Sequence, residues 1–437
     1  MHEDRTLDLR AIERAFLFAF IALRLLLFAR MFGQYIGYDV RGHLQVVSAI
    51  SWTHPFLSPR ALYYAVHPPL GFLLAHSLTM LGMVPILAAQ TLSFLASLVA
   101  FFFMRSTLKS LGLLGHLPAV VFLYLAASIP MQIYLSVIVS LDVFVLACMS
   151  IILFLSVQIF WKKQSIFSVF LYCLALTLTL ILANLFKLSG FLLQPIPLFV
   201  LLLSREAYTW RRFLILLIMG FLSAVATFVY LYYRNYIPEH TFFFSTAGLS
   251  MWTDLFRHSV WWRDTHPFLF VLAYILPIQH GIPRLLPTWN SLWYMYDRDF
   301  LSVFTIFLAV LYNVVAPALC FIGCITAYGQ RMTKDLWYRF GVVLLLTGAL
   351  HFLGLIAYMW STPLLEGYLS NKGVYIASAS FSIAYLLSLA LTSFLPLLNI
   401  KKFTRKQAEY CLLFCTAIFM IVNHLMPDIA GKTDVLY

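Results

Sequence analysis

Residues 141–186 read LDVFVLACMSIILFLSVQIFWKKQSIFSVFLYCLALTLTLILANLF, two long apolar runs separated by a short basic step at Lys162 and Lys163. Each run has the length of a helix that crosses about 30 Å of hydrocarbon. Apolar runs of this kind recur from one end of the chain to the other. The stretch therefore predicts two membrane-spanning helices joined by a loop, and its repetition predicts an all-α polytopic membrane protein.

The composition of the whole chain agrees with this prediction. Of the 437 residues, 62% are hydrophobic and 11% are charged, against about 25% charged residues in soluble domains. The formal charge of +12 comes from basic residues in short loops, where they meet anionic lipid headgroups. An ordinary soluble protein is thus excluded. The expected partners include membrane lipids and no nucleic acid.

About eleven transmembrane helices are predicted from length and hydropathy, within a single polytopic domain over residues 1–437. They are placed at 12–32, 84–104, 116–134, 141–161, 166–186, 190–204, 213–233, 300–326, 336–358, 374–398 and 408–426. The segment 266–280 is short and bracketed by prolines, and it is predicted to be re-entrant or interfacial. With that assignment every strongly basic loop falls on one side, which predicts a cytoplasmic N-terminus.

The opposite loops differ in character from the basic ones. Residues 33–83 and 234–299 are long and rich in Trp, Tyr, His and Pro, which is typical of an extracytoplasmic cavity where function resides. The aromatic residues of 234–299 suit either a lipid-facing belt or a sugar-stacking platform. The compact length without a large soluble domain favours a bacterial inner membrane.

Two arginines interrupt the first apolar run. Arg30 lies near its outer end and is expected to reach the interface. Arg24 lies deeper, so its guanidinium is expected to face protein or water. Neither arginine is assigned a role by the sequence.

The first external loop opens with GYDVRGH over residues 37–43 and later contains VHPPLG over residues 66–71. Asp39, flanked by Arg41 and His43, could accept a proton from an acceptor hydroxyl or hold a metal at the membrane boundary. The alternative is that Asp39 and His43 merely cap the short helix that follows.

Two further ionisable residues lie at the mouths of apolar runs. Asp142 begins the run 141–161 and suits an acceptor-orienting or cation-binding role, or else a helix cap or internal ion pair. Lys187 follows the run 166–186 with no acidic neighbour in sequence. A phosphate group would suit Lys187, and snorkelling to the interface is the alternative.

These motifs resemble those of the GT-C glycosyltransferases of the protein mannosyltransferase and aminoarabinose transferase type. The resemblance rests on the first-loop acid, the His-Pro-Pro-Leu step at 67–70, and NLFKLSG at 184–190 followed by Pro195. It extends over most of the first 200 residues, and the second half of the chain matches only in general character.

The resemblance implies a GT-C-like fold with loop helices on the extracytoplasmic side, and a transferase that takes a hexosyl or pentosyl group from a polyprenyl-phosphate donor with inversion. It implies that Asp39 is the base, with His43 as a substitute. Substrate contacts are implied for six further residues: Arg41, His67, Asp142, Lys187, Lys372 and Tyr375. The last two, in the last external loop, are expected to contact the carrier phosphate, and a plain surface loop is the alternative for them. The acceptor is a lipid, a glycan or a protein. No metal ligand is assigned, and a divalent cation is optional.

Two other functions also suit the sequence. A transporter or lipid flippase would use several spans with Asp142 and Lys187 near membrane depth, although no repeat relates the two halves. A non-catalytic subunit of cell-surface polysaccharide assembly would use the long external loops for docking. Donor consumption that depends on Asp39 separates the transferase from both.

Overall fold

A computed structural model describes residues 8–35, 40–58, 62, 65, 67–204, 210–237, 314–330, 335–361, 377–395 and 405–425. The regular elements among these residues are all helical, which confirms the predicted all-α class. The α-helices are α1 Leu9–Met31, α2 Val40–Ala49, α3 Leu70–Met80, α4 Pro85–Ser110, α5 Leu117–Ser128, α6 Pro130–Leu135, α7 Asp142–Phe160, α8 Ile166–Phe186, α9 Ile196–Leu202, α10 Trp210–Leu231, α11 Ala316–Gln330, α12 Leu336–Ser361, α13 Ala379–Ser393 and α14 Arg405–Leu425.

Within the described part of the chain, five helices are long and apolar enough to cross a membrane. They are Pro85–Ser110, Asp142–Phe160, Ile166–Phe186, Arg212–Tyr236 and Leu336–Leu355. Shorter apolar helices occupy other predicted spans, and the first span forms the 23-residue helix α1. The number eleven stays a prediction. The predicted re-entrant segment 266–280 lies outside the described residues, as does the loop 234–299 beyond residue 237.

Two predicted spans are not single helices. The run 116–134 divides into α5 and α6 at Ile129, whose backbone angles are φ −59° and ψ 128°. Pro130 follows directly, and because proline has no N–H it removes a hydrogen bond from a continuing helix. The run 190–204 likewise begins as a 3₁₀-helix, Leu188–Leu193, before it becomes α9.

Helix α7 lies at the centre of the bundle. Sixteen of its nineteen residues are buried, and it packs against α4, α8 and α9. Helices α8 and α10 instead expose large apolar side chains, including Ile166 at 91% and Phe221 at 67% of their surface. In water such a surface would be unfavourable, so these faces are suited to contact lipid tails.

Small residues allow the C-terminal helices to pack closely. Gly323 of α11 lies directly against the backbone of Leu386 in α13, and Gly348 of α12 lies against Ser382 of the same helix. Close backbone approach at small residues is a common way for membrane helices to associate, because lipid offers no hydrophobic drive between them. Glycine at these two places therefore positions α13 between α11 and α12.

An ion pair connects the first helix to the body of the bundle. Glu13 of α1 accepts from Arg105 of α4 at 2.6 Å, and the hydroxyl of Tyr124 in α5 donates to the Glu13 carbonyl at 2.9 Å. Glu13 is buried, so a missing partner would be costly in an apolar surrounding. These contacts hold α1, α4 and α5 together.

Candidate functional site

The predicted site residues Asp142 and Lys187 are brought together by the antiparallel pair α7 and α8. Asp142 is the first residue of α7, and Lys187 directly follows the last residue of α8. The Lys187 Nζ donates to both carboxylate oxygens of Asp142, at 2.7 Å and 2.8 Å. Each side chain is 12% exposed. The carboxylate lies at a helix N-terminus and the ammonium at a C-terminus, so both charges also suit the helix dipoles.

The local backbone explains why these two side chains meet. Ser140 precedes α7, and its hydroxyl oxygen accepts from the backbone N–H of Asp142 at 3.2 Å. Lys187 has extended backbone angles, φ −159° and ψ 142°, which end α8. The chain then turns back as a 3₁₀-helix, with the Gly190 N–H donating to the Lys187 carbonyl at 2.8 Å.

Gly190 is needed for this turn. A Cβ atom at residue 190 would overlap the backbone carbonyl of Ala183 and lie 2.8 Å from the backbone nitrogen of Asn184. Both neighbours are main-chain atoms of α8, which cannot move aside as a flexible side chain can. The Lys-Xaa-Xaa-Gly step of the sequence thus has a physical basis, since the glycine lets the chain fold back and hold Lys187 at the helix end.

The two predicted histidines lie next to each other. His43 of α2 is buried, and its Nδ1 lies 3.3 Å from the carbonyl oxygen of Val139, three residues before Asp142. The rings of His43 and His67 meet edge to face with centroids 5.8 Å apart. Val139 is thus a contact that the sequence did not indicate, because a backbone carbonyl has no residue-type signal.

Arg234 completes the cluster and was not singled out from the sequence. It lies in a π-helical extension of α10, Tyr232–Tyr236, and donates to the carbonyl oxygens of Ala65 and of His67, the latter at 3.1 Å. π-Helical turns occur frequently at functional sites. The signal in the sequence that could have identified Arg234 was its place as an arginine at the end of an apolar run. We refer to His43, His67, Asp142, Lys187 and Arg234 as the polar cluster.

Burial lowers the pKa of His67 well below its usual value of 6.5. The charge of Lys187 lowers this pKa further, and those of His43 and Arg234 act in the same direction. His67 is therefore neutral at pH 7. The polar cluster therefore contains the charges of Asp142, Lys187 and Arg234, and His67 adds no positive charge to them.

This pKa shift predicts how acid affects stability. The unfolded chain binds a proton on residue 67 near pH 6.5, whereas the folded protein binds it only at lower pH. Stability should therefore be full above pH 6.5 and fall as the pH decreases, by at most about 1.4 kcal/mol per pH unit for one proton. Thermal unfolding of purified protein from pH 7.5 to 5 measures the slope. His67→Gln should reduce this slope by the contribution of one proton, whereas His54→Gln, at an exposed histidine, should reduce it less.

The other predicted site residues are not joined to the polar cluster by the described structure. Arg41 is exposed on α2, whereas His43 of the same helix is buried. Asp39, Lys372 and Tyr375 lie outside the described residues. Among the residues that are described, no group of three or more His, Cys, Asp or Glu side chains is placed to hold a metal ion.

Comparison with known proteins identifies the fold. No protein-family model matches the chain, and no curated protein sequence matches it. The chain is similar to the structure of ArnT from Cupriavidus metallidurans bound to undecaprenyl phosphate, with a TM-score of 0.55 and 14% identity, over 95% of this chain and 76% of that one.

Two further solved structures are similar at lower scores. ArnT from Cupriavidus metallidurans in the apo state has a TM-score of 0.41 and 12% identity, over 91% of this chain and 84% of that one. The archaeal oligosaccharyltransferase AglB from Archaeoglobus fulgidus, in complex with an inhibitory peptide and a dolichol-phosphate, has a TM-score of 0.48 and 12% identity, over 95% of this chain and 56% of that one. On the similarity to bound ArnT, the chain has the GT-C fold that the sequence motifs predicted.

Proposed function

We propose that this protein is a membrane glycosyltransferase that moves a sugar from a polyprenyl-phosphate donor to an acceptor at the extracytoplasmic face. The observation that carries the proposal is the ion pair of Asp142 and Lys187, with both histidines beside it, at helix ends in an otherwise apolar bundle. Ionisable groups are expensive in such surroundings and mark functional sites. The GT-C fold supports the same conclusion.

Lys187 is proposed to bind the carrier phosphate. Its ammonium is a compact charge on a flexible stem, which suits a phosphate oxygen. The phosphodiester gains a second negative charge as it becomes the leaving group, and a positive charge already in place stabilises that change. Asp142 holds Lys187 at the helix end, so the carboxylate is proposed to orient this lysine until phosphate takes its place.

The transfer is proposed as a single in-line displacement. The acceptor hydroxyl oxygen forms a bond to the anomeric carbon on the face opposite the phosphate, and the bond from that carbon to the phosphate oxygen breaks. The electron pair leaves with the polyprenyl phosphate, and the hydroxyl proton passes to Asp39. His43 is the substitute base, and neutral His67 is a hydrogen-bonding group for substrate. Inversion at the anomeric carbon follows from one displacement.

The remaining substrate contacts are proposed from the sequence alone. Arg41 is proposed to contact donor or acceptor, and Lys372 with Tyr375 to contact the carrier phosphate from the last external loop. A divalent cation between Asp39 and Asp142 is an optional part of the site. We further propose a bacterial inner membrane location with a cytoplasmic N-terminus. The acceptor is a lipid, a glycan or a protein.

Asp39→Asn tests the proposal directly. Membranes containing the wild type or the variant are incubated with labelled polyprenyl-phosphate sugars, and release of carrier phosphate is measured with and without EDTA. The wild type should release phosphate from at least one donor, and Asp39→Asn should reduce the rate by about 10²- to 10⁴-fold because the base is lost.

Asp335→Asn is the matched control, because Asp335 is an exposed carboxylate just before α12, in a loop assigned to the cytoplasmic side. It should release phosphate at the wild-type rate. Folded wild type that consumes no donor contradicts the transferase proposal and favours transport or polysaccharide assembly. Equal activity of wild type and Asp39→Asn contradicts the assignment of the base.

A further inference from the structure

Arg24 is a buried cation of α1 that the proposed reaction does not use. It is 3% exposed, and its guanidinium carbon lies 5.3 Å from the centre of the Phe20 ring. Its Nη2 donates to the carbonyl oxygen of Ala127 at 2.5 Å, and its Nη1 donates to the carbonyl oxygen of Gln132 at 3.0 Å. Nη1 also donates to Ser136 Oγ at 2.5 Å. A buried charge within an apolar bundle is costly, which indicates that Arg24 has a specific role.

The acceptors of Arg24 lie on the two sides of the break between α5 and α6. Ala127 is in the last turn of α5, and helix-end carbonyls have no partner within their own helix. Pro130 begins α6 and offers no N–H. Backbone groups that are left without a hydrogen-bond partner in an apolar surrounding are costly. The guanidinium of Arg24 satisfies them from a neighbouring helix.

A short buried segment leads from this break to the polar cluster. Residues 136–141 are all buried and connect α6 to α7. At one end Ser136 accepts from Arg24. In the middle the Val139 carbonyl faces His43 Nδ1, and at the other end Asp142 binds Lys187. This irregular segment therefore supplies one contact of the polar cluster and leads directly into Asp142, and Arg24 holds its first residue.

A second set of bonds joins α6 to the start of α13. The Gln132 side-chain amide donates to the Ala377 carbonyl at 3.0 Å and to Ser380 Oγ at 2.5 Å. Helix α6 is thus bonded both to α1 and to the start of α13. A displacement of Ser136, the first residue of the 136–141 segment, requires its bond with Arg24 to break.

We propose that Arg24 is a positioning residue for the transfer reaction, which bridges the α5–α6 break and thereby holds Val139 and Asp142 in register with His43 and Lys187. The effect on catalysis rests on the proposed function, whereas the positioning itself does not. Arginine is required because a planar guanidinium reaches both sides of the break. Lysine keeps the charge but presents a single ammonium centre. The Arg24→Lys variant therefore removes the bridging hydrogen bonds without removing the positive charge.

The experiment compares full-length wild type, Arg24→Lys and Arg30→Lys in lipid nanodiscs. Arg30 is an exposed arginine of the same helix and is the matched control. Backbone hydrogen exchange is measured by peptide, and transfer kinetics are measured where a donor is consumed. In Arg24→Lys, exchange over residues 131–142 should rise by about 10- to 100-fold, the loss expected for charged hydrogen bonds. Exchange in α8 and α10 should be unchanged.

The same substitution should also change the kinetics of transfer. Arg24→Lys should lower kcat by about 10- to 100-fold through misplacement of the reacting groups, and it should change the donor KM by a smaller factor. Ser136→Ala, which removes one acceptor, should produce a smaller change in the same direction. Exchange that is unchanged over residues 131–142, or raised equally in every helix, overturns the proposal. A wild type without transferase activity contradicts the proposed function, and the exchange data then decide on positioning alone.

Discussion

Lys187→Met is expected to reduce carrier-phosphate release by about 10²- to 10³-fold, the loss typical when one preorganised charge is removed from a developing anion. The same change should lower the free energy of unfolding by about 3–5 kcal/mol, because the Asp142 carboxylate is left with its partner missing in a buried place. Transfer assays in membranes and thermal unfolding in detergent measure the two effects. Lys163→Met, at an exposed lysine of the loop after α7, should change neither.

A double variant separates the two consequences. Asp142→Asn with Lys187→Met removes both charges, so its loss of stability should be smaller than the sum of the two single losses. Activity should remain as low as in Lys187→Met, because the ammonium proposed to stabilise the developing phosphate charge is missing from both variants. Additive stability losses would contradict the ion pair, and substantial activity in the double variant would contradict the phosphate role of Lys187.

Gly190→Ala is the second change with a large expected effect. The added Cβ would overlap the α8 backbone at Ala183, so the 3₁₀ turn must move away from the helix end. Overpacking of this kind costs about 1–3 kcal/mol. Because the Gly190 N–H binds the Lys187 carbonyl, the shift should also displace Lys187 and reduce transfer by about 10²-fold for a displacement near 1 Å.

Gly220→Ala is the matched control for this substitution. Gly220 lies in α10, and a Cβ there would meet no atom within 4 Å. Alanine is the better helix former by about 1 kcal/mol, so stability should be unchanged or slightly raised and transfer unaffected. If Gly190→Ala behaves like Gly220→Ala, the close approach to α8 does not set the position of Lys187.

The pairing of Asp142 and Lys187 bears on the alternatives that the sequence left open for each of these residues. From the sequence, Asp142 was either a functional acid or part of an internal ion pair, and Lys187 was either a phosphate ligand or a snorkelling side chain. The structure places the two side chains in one bidentate contact with little exposure. The internal ion pair is therefore present, and the Lys187 ammonium is bound by Asp142 and mostly buried. The phosphate role remains a proposal, and it requires the lysine to exchange its carboxylate partner for the donor.

Most of the class and part of the site could be predicted from the sequence. Length, hydropathy and loop charge indicated an all-α membrane protein, since a backbone in lipid must satisfy its own hydrogen bonds within helices. The short motifs indicated His43, His67, Asp142 and Lys187 as site residues, because ionisable groups at the ends of apolar runs are uncommon without a use. The glycine three residues after Lys187 was also part of the recognised motif.

Only the tertiary structure decided how these residues meet. Asp142 and Lys187 are 45 positions apart, and no local pattern reports that α7 and α8 bring them within 2.7 Å. The break at Ile129 turned one predicted span into two helices, and the Arg24 bonds across it join α1 to a segment more than 100 positions away. Hydropathy and residue spacing report what one helix can bury, whereas partners across the bundle depend on how several helices pack. The sequence by itself therefore determined the all-α class and the chemistry available, and the packing of the helices decided which charges are paired and what holds them.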